Sequence, residues 1–222
     1  MPVNGIRLGL LIGLVSVAAW SAEDAPPLPK DQPVVKGGNL ELGLFGGESY
    51  GLDRFRPMGG GNIAYGLSPA LFPFAEASYL PGVLRTVNIP TGTTTSYQQF
   101  NVNMMDFHAG LHIRVPKPES PVVPYAVMGL GMIRQSQSTS TAYLVTNFGT
   151  VPFSANMPST VNFSLDFGAG LRFFFNERFA LRLEFKAFKP IGANAVVANG
   201  VSTPVPSTVV YRFAIGPVFQ LR

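Results

Sequence analysis

Cysteine is absent from this 222-residue chain. That removes disulfides and thiolate metal ligands, and it excludes a lipid-modified leader, whose attachment point is a cysteine. Charge is scarce as well. The chain holds 16 Lys plus Arg against 12 Asp plus Glu, a formal net charge of +4, and the basic residues arrive singly within apolar stretches. A nucleic-acid footprint needs a contiguous basic patch, so no nucleic-acid partner is expected. Beyond the N-terminus no apolar run approaches the ~20 residues of a spanning helix. Histidine is limited to His108 and His112.

What the chain has is glycine, proline and phenylalanine: 24, 20 and 18 residues respectively. This is the profile of turn-rich all-β structure. The N-terminus reads MPVNGIR, LGLLIGLVSVAAW and SAED. One arginine (Arg7), an apolar run and then small residues make residues 1–21 a secretory signal peptide. A cut after Ser21 places Ala19 three positions before it; cuts after Ala19 or Ala22 are the alternatives. Residues 22–38 carry APPLPKDQPVVKGG and are expected to be an extended, Pro-rich periplasmic linker. The folded domain is expected over 39–222.

Within that domain the dominant period is two. In VNFSLDFGAGLRFFF, Val161, Phe163, Leu165, Phe167, Ala169, Leu171, Phe173 and Phe175 share one face. Asn162, Ser164, Asp166, Gly168, Gly170 and Arg172 share the other, with Phe174 as its outlier. Alternate residues of a strand point to opposite faces, so one face is apolar and the other polar or tiny. The NER turn (176–178) leads into FALRLEFKAF, where Phe179, Leu181, Leu183 and Phe185 oppose Arg182, Glu184 and Lys186. MMDFHAGLHIRV alternates likewise: Met105, Phe107, Ala109, Leu111 and Ile113 against Asp106, His108, Gly110, His112 and Arg114. About eight strands follow from this period, near 39–47, 60–67, 71–80, 103–115, 122–133, 161–175, 178–188 and 207–221. Short connections (68–70, 116–120, 176–178) alternate with long ones near 48–59, 81–102, 134–160 and 189–206. Short turns at one end and long loops at the other are the outer-membrane barrel arrangement.

The strand charges are too few to coat a soluble exterior, whereas the apolar faces are bulky. Turning the Phe/Leu face to lipid and the charges to the lumen resolves this. An unpartnered buried charge costs several kcal/mol, an order-of-magnitude figure, so the lumen should hold its charges in pairs. The acids are Glu41, Glu76, Asp106, Asp166 and Glu184, and the bases Arg114, Arg172, Arg182, Lys186 and Arg212, with His108 and His112 on the same faces. Eight strands enclose a space that side chains fill, so a plugged, structural polar lumen is expected. Inward Gly129, Gly131, Gly168 and Gly170 leave room for a long arginine to reach across.

PYAVMGLG (124–131), FGAGLRFFFNERFALRLEFKAF (167–188) and the closing YRFAIGPVFQLR resemble the outer-membrane β-barrel family of the OmpA, OmpX and opacity-protein type, over roughly 39–222. The resemblance implies an eight-stranded antiparallel up-and-down transmembrane barrel and brings no shared catalytic residues. Two departures stand out. The chain ends Phe219-Gln220-Leu221-Arg222 rather than on an aromatic, and Pro73 and Pro217 fall where strands need ladder donors, so bulges or strand ends are expected there.

Chemistry is not expected. His108 and His112, four apart on one strand, lie roughly 13 Å from each other, too far to share a metal ion. Asp106 flanks His108, and Ser164 or Ser78 offers a hydroxyl, but all point inward, away from lipid. No catalytic residue, metal or cofactor is therefore assigned. Residues 86–105, 135–160 and 190–211 carry no charge, and with Tyr143, Leu144 and Phe148 they suit a surface contact. The expected function is a structural or adhesive outer-membrane barrel of a Gram-negative-type bacterium. A narrow pore is the alternative and a lipid hydrolase the further one. Its expected partners are outer-membrane lipids, the outer-membrane insertion machinery and a surface ligand met through 81–102 and 134–160.

Overall fold

Period two becomes strand almost everywhere. The computed structural model describes residues 36–51, 55–91, 94–115, 120–146, 149–198, 201–206 and 208–221. The expected leader (1–21) and most of the expected linker (22–38) lie outside the described residues. Twelve strands follow one another: β1 (Leu40–Tyr50), β2 (Arg56–Tyr65), β3 (Leu71–Thr91), β4 (Thr94–Arg114), β5 (Val122–Gln135), β6 (Ser138–Thr146), β7 (Gly149–Met157), β8 (Thr160–Phe174), β9 (Phe179–Ile191), β10 (Ala193–Ala198), β11 (Val201–Pro206) and β12 (Val210–Leu221). Eight close into an antiparallel barrel in the order β1-β12-β9-β8-β5-β4-β3-β2, and the other four form a separate sheet, β11-β10-β7-β6. Closure leaves the barrel without an edge, the condition for strands to stand in lipid.

The apolar faces point outward. Phe163 is 71% exposed, Leu44 66% and Leu130 64%, and Phe107, Phe167, Phe185 and Phe213 are exposed with them. The outward residues of β8 run from Val161 to Leu171. At ~3.3 Å per residue and a tilt of ~40°, they give about 25 Å of apolar height, matching the lipid-facing band of such barrels. Water would tolerate this belt poorly; hydrocarbon matches it.

Three of the four segments expected as long loops are largely strand. The connection near 48–59 is shorter than expected, since β1 runs to Tyr50 and β2 begins at Arg56. The segment 81–102 continues β3 and β4 as one hairpin, paired from Val83↔Val102 to Thr91↔Thr94. Segments 134–160 and 189–206 supply the four-stranded sheet. Thr, Val, Ile and Tyr are residues that strands favour, so lack of charge there does not mean lack of structure.

The polarity code inverts where the hairpin leaves the barrel. On β4, Met105, Phe107 and Ile113 face out and Asp106, His108, His112 and Arg114 face in. Further along the same strand, Gln99, Asn101 and Asn103 face out while Phe100, Val102 and Met104 are buried. On β3 the change is accompanied by a register shift between Leu80 and Val83, with Gly82 at φ +64°. Only glycine takes that backbone without strain. Below this level the wall is built for lipid and above it for water.

The hairpin and the second sheet together make a cap over the loop end. Val83, Val87, Ile89, Phe100 and Val102 pack with Phe153, Ala155, Met157, Val196 and Ala198 in one buried cluster that continues down to Phe45, Leu80, Ile133 and Phe188. The turn end is closed by a smaller cluster: Phe72, Val123, Phe174, Ala180 and Val218. Phe174, the outlier of the β8 pattern, is therefore part of the barrel floor. Asn176 shapes the adjacent turn, its Oδ1 accepting from the backbone N–H of Arg178 and Phe179 at 2.8 Å each, as asparagine does in Asx turns.

Both prolines mark lapses in a ladder. Pairing of β2 with β3 stops at Ala64↔Phe74, just before Pro73. Opposite Pro217, the β1 ladder skips from Gly43↔Val218 to Gly46↔Ile215 at constant register, while pairing with β9 runs on through Pro217↔Leu181. A missing N–H opens the ladder on one side only.

Inward glycines set how closely strands approach. A Cβ on Gly168 would meet the carbonyl oxygen of Phe185 and sit 2.9 Å from Lys186 Cα. Both are backbone atoms of the paired strand, and neither can move without opening the β8–β9 ladder. Gly168→Val is expected to destabilise the barrel by about 1–3 kcal/mol, the usual cost of overpacking, read as a lower urea midpoint for the refolded protein.

Candidate functional site

The lumen is filled by ionisable side chains arranged in three levels. All twelve residues expected there are buried: Glu41, Glu76, Asp106, His108, His112, Arg114, Asp166, Arg172, Arg182, Glu184, Lys186 and Arg212. Alternation places them inward, and closure of the sheet brings together residues far apart in sequence.

Nearest the turn end, Glu41 is the anchor. Arg114 grips it with both terminal nitrogens, at 2.7 and 2.5 Å, and the Arg172 guanidinium donates to the same carboxylate. Gln220 Nε2 donates to Glu41 at 3.1 Å and is itself held by Asn39 at 2.9 Å. The Arg114 guanidinium lies 3.4 Å above the Phe72 ring, so the floor cluster also contributes a cation–π contact.

The middle level is built on Glu76. It accepts from Lys186 Nζ at 3.1 Å, from Arg182 Nη1 at 3.4 Å and from Arg212. Glu184 shares these cations, with Lys186 at 3.3 Å and both arginines at 3.8 Å, and accepts a hydrogen bond from Tyr125 at 2.7 Å. His112 lies between the two levels, stacked on Phe74 at 4.3 Å. Its Nδ1 is 3.2 Å from Arg172 Nη2. Arginine only donates, so Nδ1 must accept and the ring proton sits on Nε2.

On the loop side of these pairs, still within the height of the apolar belt, Asp106, His108 and Ser164 are joined in series. His108 Nδ1 is 3.2 Å from Asp106 Oδ1 and Nε2 is 2.6 Å from Ser164 Oγ. Ser78 donates to Asp106 and accepts from Arg212 at 3.1 Å. Above this level lies a cavity of about 20 Å³, lined by Ser49, Leu80, Met104, Asp106, Ile133, Phe188, Val210 and Arg212, room for one water molecule.

One expectation holds only as an ion pair, and another needs correction. Asp166 is paired with Lys186, Nζ to Oδ2 at 3.8 Å, although neither of its oxygens accepts a hydrogen bond among the described residues. The room left by the inward glycines serves other side chains than arginine. Atoms within reach of an added Cβ include Asp166 Oδ1 for Gly129, His108 Cδ2 for Gly131 and the Tyr125 ring for Gly170. Sequence reasoning misses Tyr125, Gln220 and Asn39. Tyr125 counts as apolar in a binary pattern although its hydroxyl seeks a partner when buried; Gln220 and Asn39 sit on inward positions and are signalled only by parity.

The outer face of the cap is polar and uncharged. Thr141 Oγ1 and Ser154 Oγ are 3.3 Å apart, and Thr139 donates to Asn156 Oδ1 at 3.5 Å. Of the apolar contacts expected there, the side chains of Tyr143 and Leu144 and the whole of Phe148 lie outside the described residues.

Comparison with known proteins gives a consistent picture. Residues 8–219 match the family model described as "Outer membrane protein beta-barrel domain". Among solved structures, the outer membrane protein OprG from Pseudomonas aeruginosa is similar at a TM-score of 0.55 and 11% identity, over 85% of this chain and 98% of that one. A major outer membrane protein from Thermus thermophilus is similar at 0.53 and 10% identity, over 82% and 99%. At such identities the likeness is one of fold. No curated protein is a significant match.

Proposed function

Because this chain belongs to the outer membrane protein β-barrel domain family and is an outer-membrane protein of the Gram-negative type, we propose that it is a sealed barrel that holds an uncharged cap at the cell surface for contact with a partner. The observation carrying this reading is the triple closure of the lumen: a floor around Phe72 and Phe174, a neutralised charged core, and an apolar cap from Phe100 to Met157. Five acids face five bases inside the barrel, so the core binds itself rather than a passing ion. The polar ladder of Thr139, Thr141, Ser154 and Asn156 is the surface offered to the partner. Contact through the cap accounts for its ordered strands better than a solvated loop would, since ordering a residue's backbone costs roughly 1–2 kcal/mol.

Planar-bilayer recording on refolded protein tests the closure. The expected trace is flat, with no stepwise openings at moderate voltage. Steady single-channel conductance from the intact chain would defeat the sealed-barrel reading in favour of a narrow pore.

A further inference from the structure

We propose that Arg134 and Lys189 form a binding site on the outer wall of the barrel for an anionic, phosphate-bearing membrane lipid, with the headgroup held by the two cations and an acyl chain lying over Phe163.

Both side chains stand on the face that otherwise meets hydrocarbon. Arg134 continues the outward series of β5, after Leu130 and Met132, and is exposed. Lys189 continues that of β9, after Phe185, and is exposed too. Strand register makes them opposite corners of one patch. Arg134 pairs with Val161. Phe163 pairs with Met132 on one side and Ile191 on the other. Leu165 pairs with Leu130 and with Lys189. Phe163, 71% exposed, is the centre of that grid.

Tilt sets the height of the two cations. Paired rows climb around the barrel: the row that begins at Glu41↔Ala64 near the turn end runs through Phe74, Gly110, Gly129, Asp166 and Phe188 to Val210 at the loop end. With strands ~4.8 Å apart and tilted ~40°, each step from β5 through β8 to β9 gains about 3 Å. Lys189 therefore stands about 6 Å nearer the cell surface than Leu130 of the same row. Arg134, further along β5, stands about 10 Å nearer than Leu130. Long basic side chains extend toward the interface, so both heads reach the loop-side margin of the apolar belt, where lipid headgroups lie.

The protein supplies these ions with no counter-ion. Neither side chain has a hydrogen bond or ion pair among the described residues. Residues 135–160 and 190–211, which leave the barrel just beyond them, contain no charge. Glu48, on the outward parity of β1, lies opposite Phe213, two strands from β9. A cation standing against hydrocarbon is costly, so its partner has to come from the bilayer. A lipid phosphate fits both heads, taking paired bonds from the planar guanidinium and a point contact from the ammonium. The apolar residues between the two corners suit an acyl chain, which a free phosphate or a soluble polyanion lacks. The site is on the outer wall and is independent of lumen closure and of any partner met by the cap.

A local fluorescence reporter tests the site in the full chain refolded into vesicles. Trp20 is the one tryptophan of the sequence, so Trp20→Phe with Phe163→Trp leaves a single emitter at the centre of the patch. Vesicles of phosphatidylcholine carry either dibrominated phosphatidylglycerol or dibrominated phosphatidylcholine at equal mole fraction, and the ratio of quenching gives the relative association constant. The expected preference for the anionic lipid is about fivefold per cation, the attraction of one basic residue near an anionic surface. Arg134→Gln and Lys189→Gln should each remove about that factor, and the double variant should quench equally with both lipids. Arg178→Gln, exposed in the turn at the other end of β8 and β9, should leave the preference in place. Band shift on boiling confirms folding, and Leu165→Trp carries the reporter if Phe163→Trp does not fold. Equal quenching by the two lipids in the reporter chain overturns the proposal. So does a preference that survives the double variant, or one that Arg178→Gln abolishes as fully.

Discussion

Replacing Glu76 by alanine should cost the folded barrel about 3–5 kcal/mol, the range for removing one partner of a buried ion pair. Glu76 is the shared counter-ion of Arg182, Lys186 and Arg212. Without it three cations face one another with Glu184 as the acid they share, and Asp106 at 3.7 Å from Arg212 alone. The loss should appear as a lower urea midpoint for folding into phospholipid vesicles, with the fraction folded read from the band that shifts on boiling. Adding Lys186→Met to Glu76→Ala should recover part of the loss, because a buried cation is then replaced by a flexible apolar chain. If Glu76→Ala alone leaves the midpoint unchanged, the lumen is not held by its charges.

Leu130→Arg should cost about 2–4 kcal/mol, the penalty for arginine at the lipid-facing midplane of a barrel. Leu130 is 64% exposed and sits in the apolar row with Ala109 and Leu165. In a water-soluble barrel an exposed arginine there would be nearly neutral, so sign and size together test which solvent the belt meets. Asn101→Arg, outward on the same sheet but above the polarity inversion, should fall within about 0.5 kcal/mol of wild type, as surface changes do. Folding in vesicles reports both. Equal effects at the two positions would remove the assigned boundary between lipid and water.

The barrel was legible because two signals reinforced each other. Alternation in β4, β8 and β9 located strands, and the position of the few charges decided which face was inside. A closed count of eight and the twelve lumen residues followed from parity alone. The cap was less legible, since its strands are written in Ser, Thr, Asn, Gly and Pro, residues shared with loops. The signal was present all the same: Val83, Val87 and Ile89 alternate with Thr86 and Asn88, only with apolar side chains turned inward. A reader expecting apolar residues outside passes over it. Pairings inside the lumen were illegible for another reason. His108 and Ser164 are 56 residues apart, and their meeting depends on registers across β4, β5 and β8 and on the gap at Gly131. Asp166 shows the converse limit. Balanced counts of acids and bases promise charge partners, not a hydrogen bond for each: Asp166 has Lys186 at 3.8 Å but accepts none among the described residues.

The uncharged cap has a consequence for how the protein reaches its final state. Whatever stands outside the membrane must first be carried across it, and a charged side chain at the bilayer centre costs on the order of 2.5–3.5 kcal/mol even on the lowest scales. Residues 86–105, 135–160 and 190–211 contain no charge. The β3–β4 hairpin also brings its own ladder from Val83↔Val102 to Thr91↔Thr94, so its backbone can cross with those hydrogen bonds already made. The same neutrality that shapes the outer surface thus lowers the barrier to translocating it, and Arg85, buried against Gln135 at 3.0 Å, is the ion the hairpin carries through.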